Sequence, residues 1–165
     1  VIAALLLAVL ALGAVLTVAA VRRVPPAPVV IAAVPAPAAE GPECAGLVAA
    51  LPEQLGDYRR AETAQPTPAG SAAWRTDEGG DPVIMRCGLD RPAEFVVGAP
   101  IQMVNAVQWF RIEDTELRRS TWLCVDRPVY VALTLPDGSG PSPIQTMSEV
   151  IEKSMPAVPI RPGRP

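Results

Sequence analysis

Val129-Tyr130-Val131-Ala132-Leu133-Thr134-Leu135 sets Val, Val, Leu and Leu against Tyr, Ala and Thr. That period of two is the pattern of a half-buried β-strand. Pro136-Asp137-Gly138-Ser139-Gly140 follows, a turn by composition. The next segment reads as a helix. Ser142 can cap it, Pro143 suits its first position, and Gln145 stands where a capping box takes Glu or Gln. Ile144, Met147, Val150, Ile151 and Met155 then form an apolar stripe that Pro156 stops. Upstream, Val83, Met85 and Cys87 alternate with Ile84 and Arg86. A second strand is read over 104–112, a turn at Glu113-Asp114 and a third strand over 117–125. Cys44, Leu47, Val48, Leu51 and Leu55 share one face at helical spacing, with Pro52 and Gly56 near the stop. Short turns between consecutive strands imply an antiparallel sheet. A helix at each end can cover its one apolar face. The expected domain, residues 43–156, is therefore α+β, a two-layer sandwich of antiparallel sheet and two helices. A Pro-rich tail over 157–165 is expected to be extended or frayed.

Outward of this domain, Val1–Val21 contains no charge. A helix of that length spans about 30 Å, the thickness of the hydrocarbon layer. Arg22 and Arg23 stop the run, so residues 1–23 read as a transmembrane anchor. A cleaved signal peptide is the competing reading, with Val18-Ala19-Ala20 as a tolerable site, but signal cores are shorter, at about 7–15 residues. Residues 24–42 form a Pro/Ala-rich extended linker containing Pro25, Pro26, Pro28, Pro35, Pro37 and Pro42. Its middle, Val29-Val30-Ile31-Ala32-Ala33-Val34, is apolar for a free linker. It either packs on its own domain or headgroups, or lies along a neighbouring protein, which makes Val29, Val30, Ile31 and Val34 candidate partner-binding residues.

The 165-residue chain has no histidine, which removes the commonest general base, the Ser–His pair and most metal sites. Beyond Arg23 its 17 acids face 12 bases. With few aromatics and no basic run, nucleic acid is not an expected partner. Asp137-Gly138-Ser139-Gly140 is too short for a phosphate loop. Glu113, Asp114 and Glu116 could bind calcium or act as paired carboxylates, but such a cluster is usually just solvated. Trp74, Trp109 and Trp122 are read as core and strand packing, or else as lining a pocket or interface.

Three cysteines remain: Cys44, Cys87 and Cys124, with no C-x-x-C among them. Zinc would need three thiolates and a carboxylate at irregular spacing. In an oxidising compartment two of them are expected to pair. Cys44 on the first helix and Cys87 on the strand face of Val83 and Met85 are the preferred pair. Cys87–Cys124 and Cys44–Cys124 are the alternatives. Arg22 and Arg23 alone would draw the domain inward, whereas the cysteines place it outside; the cysteines carry more weight, giving a single-pass cell-membrane protein with an extracytoplasmic C-terminal domain.

Ala72-Ala73-Trp74, Pro82-Val83-Ile84-Met85-Arg86-Cys87-Gly88-Leu89, Val104-Asn105-Ala106-Val107-Gln108-Trp109 and Arg127-Pro128-Val129-Tyr130-Val131 resemble an actinobacterial family of membrane-anchored proteins known as a domain of unknown function. The likeness spans roughly residues 44–151, and its most specific steps are Arg-Cys-Gly and Val-Asn-x-Val-x-Trp. Many members carry a further Cys before the Val-Asn step. Here Ile101 stands near that place and Cys124 lies downstream, which leaves the pairing of Cys124 open. The resemblance implies an envelope protein and supplies no catalytic residues.

The expected function is a non-catalytic accessory or structural subunit of a larger membrane protein complex, such as a respiratory supercomplex or an envelope transport machine. It would be held to the membrane by Val1–Val21, would dock through linker and domain, and needs no cofactor. The alternative is an envelope module for lipid or cell-wall fragments, which requires a Trp-bearing pocket between helix and sheet. A hydrolase using carboxylates alone is the third reading and needs two acids converging in a cleft.

Overall fold

The computed structural model describes Gly13 and residues 26–164. The expected span Val1–Val21, Gly13 apart, and the start of the linker lie outside the described residues. Among the described residues no helix is long and apolar enough to cross a membrane.

The elements in chain order are α1 (Pro42–Ala49), β1 (Gln54–Leu55), β2 (Tyr58–Arg60), β3 (Ser71–Thr76), β4 (Gly79–Leu89), β5 (Ile101–Val104), β6 (Val107–Asp114), β7 (Arg119–Cys124), β8 (Tyr130–Pro136) and α2 (Ser142–Ser154). The fold is α+β. Eight antiparallel strands form one sheet in the order β1-β2-β3-β4-β8-β7-β6-β5. Two meanders thus meet where β8 lies against β4.

Both helices cover one face. Cys44 and Leu47 of α1 and Ile144, Met147 and Ile151 of α2 meet Trp74, Met85, Cys87, Trp109, Val131 and Leu133 of the sheet. Each large side chain buried here contributes on the order of 1.5–3 kcal/mol. Trp74 donates from Nε1 to the Pro52 carbonyl at 2.9 Å, and Trp109 to Ser148 Oγ at 3.0 Å. Ser148 Oγ in turn donates to the Ile144 carbonyl at 2.8 Å, so the buried indole and hydroxyl are both satisfied.

The opposite face is also apolar, which the two-layer expectation missed. Val29 and Ile31 are buried there against Ala73, with Ala61 and Ile84 alongside. The linker is therefore a strap across the sheet. Its Val29 N–H bonds the Glu62 carbonyl at 2.8 Å, and the Val29 carbonyl accepts the Ala64 N–H at 2.9 Å. Two arginines clamp its length: Arg75 donates to the Ala27 carbonyl at 2.8 Å and Arg86 to the Ala32 carbonyl at 3.5 Å. Over the other half of this face, Phe95 of the β4–β5 loop packs on Phe110, Leu123 and Ala132, with Ile160 of the tail beside them. The tail runs extended, bonded from the Val158 N–H to the Asp126 carbonyl and from the Gly163 N–H to the Phe95 carbonyl.

The strap reaches the helical face by turning around the end of β3 and β4, where Ala39 lies beside Gly70 and Gly88. Cys44 and Cys87 then form a disulfide with Cα atoms 5.6 Å apart. Cys124 is free and buried. The pairing Cys87–Cys124 is blocked by register. Val131 is opposite both cysteines, so β8 intervenes and their Cα atoms stand about two strand spacings, near 10 Å, apart.

Several boundaries differ from expectation. The strand read over 104–112 is two strands, because Asn105 turns the chain at φ 51°. Glu113 and Asp114 extend β6 instead of turning. The first helix stops at Ala49, and Leu55 is buried from β1 instead. Ser142 does not cap α2: the cap position is Pro141, with no side-chain cap bond. The strands before Val83 carry no period long enough to be read in sequence.

Candidate functional site

β5 and β6 are joined by the two-residue turn Asn105-Ala106. Asparagine tolerates the left-handed conformation of this turn better than most side chains. Asn105 Nδ2 also donates to the Gln145 carbonyl at 3.3 Å, tying the hairpin tip to the first turn of α2. Beside this tie the sheet is not covered by helix. A cleft of about 490 Å³ opens there, between the hairpin, the start of α2 and the 136–141 loop. That volume falls within the usual range for ligand sites.

Trp122 stands in this cleft, half-buried. It donates from Nε1 to Ser120 Oγ at 3.1 Å, and the Arg111 guanidinium lies 5.2 Å from its ring centroid. Arg111 is held in turn by Glu113 at 2.8 Å. Leu135 and Ile144 add apolar wall, and Asn105, Gln145 and Ser139 add polar groups. Asp137 is the cleft's one carboxylate, 3.7 Å from Arg118 outside the lining. The lining is suited to recognition: an aromatic plane, aliphatic walls, amides, two hydroxyls, one cation and one carboxylate.

The cleft borders an open sheet edge. Strand β5 ends its pairing at Ile101 opposite Phe110, so among the described residues Arg111–Asp114 of β6 continue without a neighbour on that side. Alternation of antiparallel bonding turns the backbone N–H and C=O of Arg111 and Glu113 toward the open side. Such an edge can receive an extended chain.

Below the cleft is a polar knot that the sequence did not flag. Asp126 and Arg127 pair at 3.0 Å with their side chains 4% and 2% exposed. Arg127 also donates to the Ala106 carbonyl at 3.0 Å, and the Asp126 carbonyl receives the Val158 N–H at 2.9 Å. The pair thus joins the hairpin tip to the tail. Cys124 Sγ lies 3.6 Å from Asp126 Oδ1. Burial, reinforced by the Asp126 charge, pushes its thiol from near 9 up to about 12. At neutral pH it is a protonated, buried small hydrophobe.

The sequence-stated candidates separate in space. Val29 and Ile31 are buried in the chain's own sheet, whereas Val30 and Val34 are exposed. The reading in which all four face a partner is therefore corrected, because alternation along an extended strap sends neighbours to opposite sides. Trp74 and Trp109 are core, and Trp122 alone of the three lines the cleft. The acids Glu113 and Asp114 diverge, one paired with Arg111 and the other with Arg119 at 3.4 Å. Among the described residues no group of three potential metal ligands occurs. Arg111, Asn105 and Gln145 were not singled out for this cleft, since nothing in their local sequence distinguishes them from solvated residues.

No curated protein and no solved structure matches the chain. The model of one family, described as a protein of unknown function (DUF3515), matches residues 5–160, so the resemblance holds at that level and the chain belongs to this family.

Proposed function

We propose that this protein is a non-catalytic accessory subunit of a larger membrane complex, anchored by Val1–Val21 with its folded domain extracytoplasmic. The domain holds an extended segment of a neighbouring protein along the open edge of β6. One observation carries this reading: the unpaired edge at Arg111–Asp114 runs beside the Trp122 cleft. Backbone pairing on the edge supplies affinity, and a side chain seated against Trp122 supplies selection. The exposed linker residues Val30 and Val34 can add contact but are not the main dock.

The test is retention of the complex in mild detergent. Glu113→Pro removes an outward N–H without touching the β7 ladder, and Trp122→Ala empties the cleft. Each is expected to convert a large particle into a free subunit. A particle already monomeric as wild type, or a complex that keeps its size in the double variant, overturns the proposal.

A second reading has its own support. The aromatic plane with amides and two hydroxyls around a volume of about 490 Å³ also suits a saccharide or other cell-wall fragment. Saturable binding of such a fragment by the wild type, with partner retention unaffected by Trp122→Ala, would favour it.

A further inference from the structure

The two faces of the sheet differ in what they show to the outside. The helical face carries Glu43, Glu149 and Glu152 beside Lys153, with Arg111 over Trp122 and Arg60 over Trp74. The strap face carries Arg75, Arg86 and Arg119. Arg75 and Arg86 have no carboxylate within ion-pair distance among the described residues; each bonds only a strap carbonyl. Burial, with Arg119 as a like-charged neighbour, lowers the pKa of Arg86 from its ordinary value. On this face, at the Asp81, Leu117 and Pro136 end of β4, β7 and β8, a groove of about 180 Å³ remains, lined by Ile84, Thr134, Leu117 and Arg119, with Asp81 as its one carboxylate. Val30 on the strap is 77% exposed and Leu117 at the β6–β7 turn 57%. Arg75 and Arg86 with no carboxylate partner among the described residues, and Arg119 paired only with Asp114 at 3.4 Å, set beside exposed aliphatic side chains, form a surface complementary to anionic headgroups above a hydrocarbon layer.

Chain length points the same way. The apolar run ends at Val21, and the described chain begins at Pro26 on the strap face. Five peptide steps reach at most about 18 Å. An anchor in a bilayer therefore holds Pro26, at the start of the strap, within that distance of the end of the apolar run. The helical face lies a sheet-and-helix thickness, about 20 Å, from the strap face given the usual spacing of packed layers, so a short tether at Pro26 favours the strap face toward the bilayer.

We propose that the strap face is a lipid-docking surface, and that the domain rests on an anionic bilayer through Val30, Leu117, Arg86 and Arg119. The inference rests on the membrane-anchor part of the proposed function. It also deepens that reading, since with this face on the membrane the Trp122 cleft, on the other side of the sheet, points away from lipid and toward a partner.

The full chain is reconstituted in vesicles of phosphatidylcholine with and without phosphatidylglycerol, with a thiol-reactive fluorophore at Leu117→Cys or, as control, at Glu149→Cys. Buried Cys124 stays unlabelled. Nitroxide lipids that quench at headgroup depth report proximity. Quenching at position 117 is expected to exceed that at 149 by several-fold in anionic vesicles. Arg86→Gln with Arg119→Gln, or high salt, is expected to narrow the difference. Equal quenching at the two positions, with the chain firmly in the vesicles, overturns the lipid-docking face and leaves the anchor standing. A chain washed off the vesicles by carbonate overturns both.

Discussion

The carbonyl of Gly88 accepts the Ala38 N–H at 3.1 Å, and the place where a Gly88 side chain would stand is filled by the Ala38–Ala39 backbone. Gly88 sits at φ 86° in a β4 irregularity directly after Cys87. This contact is the point at which the strap passes from one face of the sheet to the other before the disulfide holds it.

Gly88→Ala is therefore expected to cost more than conformation alone. The left-handed backbone contributes about 1 kcal/mol, and displacement of the strap raises the loss to about 3 kcal/mol or more. Gly80→Ala is the control, with φ 92° but open space around the added carbon. Urea midpoints of the two variants should separate clearly, and equal losses would show that the close approach is unimportant.

Replacing both Cys44 and Cys87 by Ala opens a loop closed by a disulfide of sequence separation 43. The chain-entropy account gives a loss of about 4 kcal/mol. Proteolysis should then cut first near α1, because that short helix keeps only a few other buried contacts.

The Asp126–Arg127 pair gives a third expectation. Arg127→Met leaves a buried carboxylate without its partner and frees the Ala106 carbonyl, for a loss of about 3–5 kcal/mol. Adding Asp126→Asn should recover part of that loss. If the exposed pair Arg59–Asp77 proved equally costly to break, burial would not be the cause, since such surface pairs are worth about 0–1 kcal/mol.

Cys124 titrates in a direction that can be checked. Its folded pKa, about 12, lies above the unfolded value near 9. The unfolded chain therefore loses the proton first as pH rises. Stability from this group is complete below pH 9 and falls through the interval up to about 12, by at most about 1.4 kcal/mol per pH unit. Urea midpoints of wild type and Cys124→Ala, compared across pH 8–11, should show the steeper decline in wild type.

The β8 strand, the α2 stripe and the Cys44–Cys87 pair were legible because each is a local pattern or a matter of facing sides. β1 and β2 were not, since strands of two and three residues carry no period. The second apolar face was missed for a related reason. Val29 and Ile31 look like linker by their proline neighbours, and only the sheet beneath them shows why they are apolar. The cleft was hardest to read. Trp122 has the same kind of strand context as Trp109, and what separates them is that Ser148 of α2 reaches one and not the other.

The central claim is that Trp122 and the open β6 edge receive a protein segment. A photo-reactive residue in place of Met103, which is 65% exposed at the cleft rim, tests it most directly in the full chain expressed in its own cells. The account expects one adduct of defined mass, abolished by Trp122→Ala and not formed from a probe at Glu149. No adduct from Met103, or the same adducts from both positions, would contradict it.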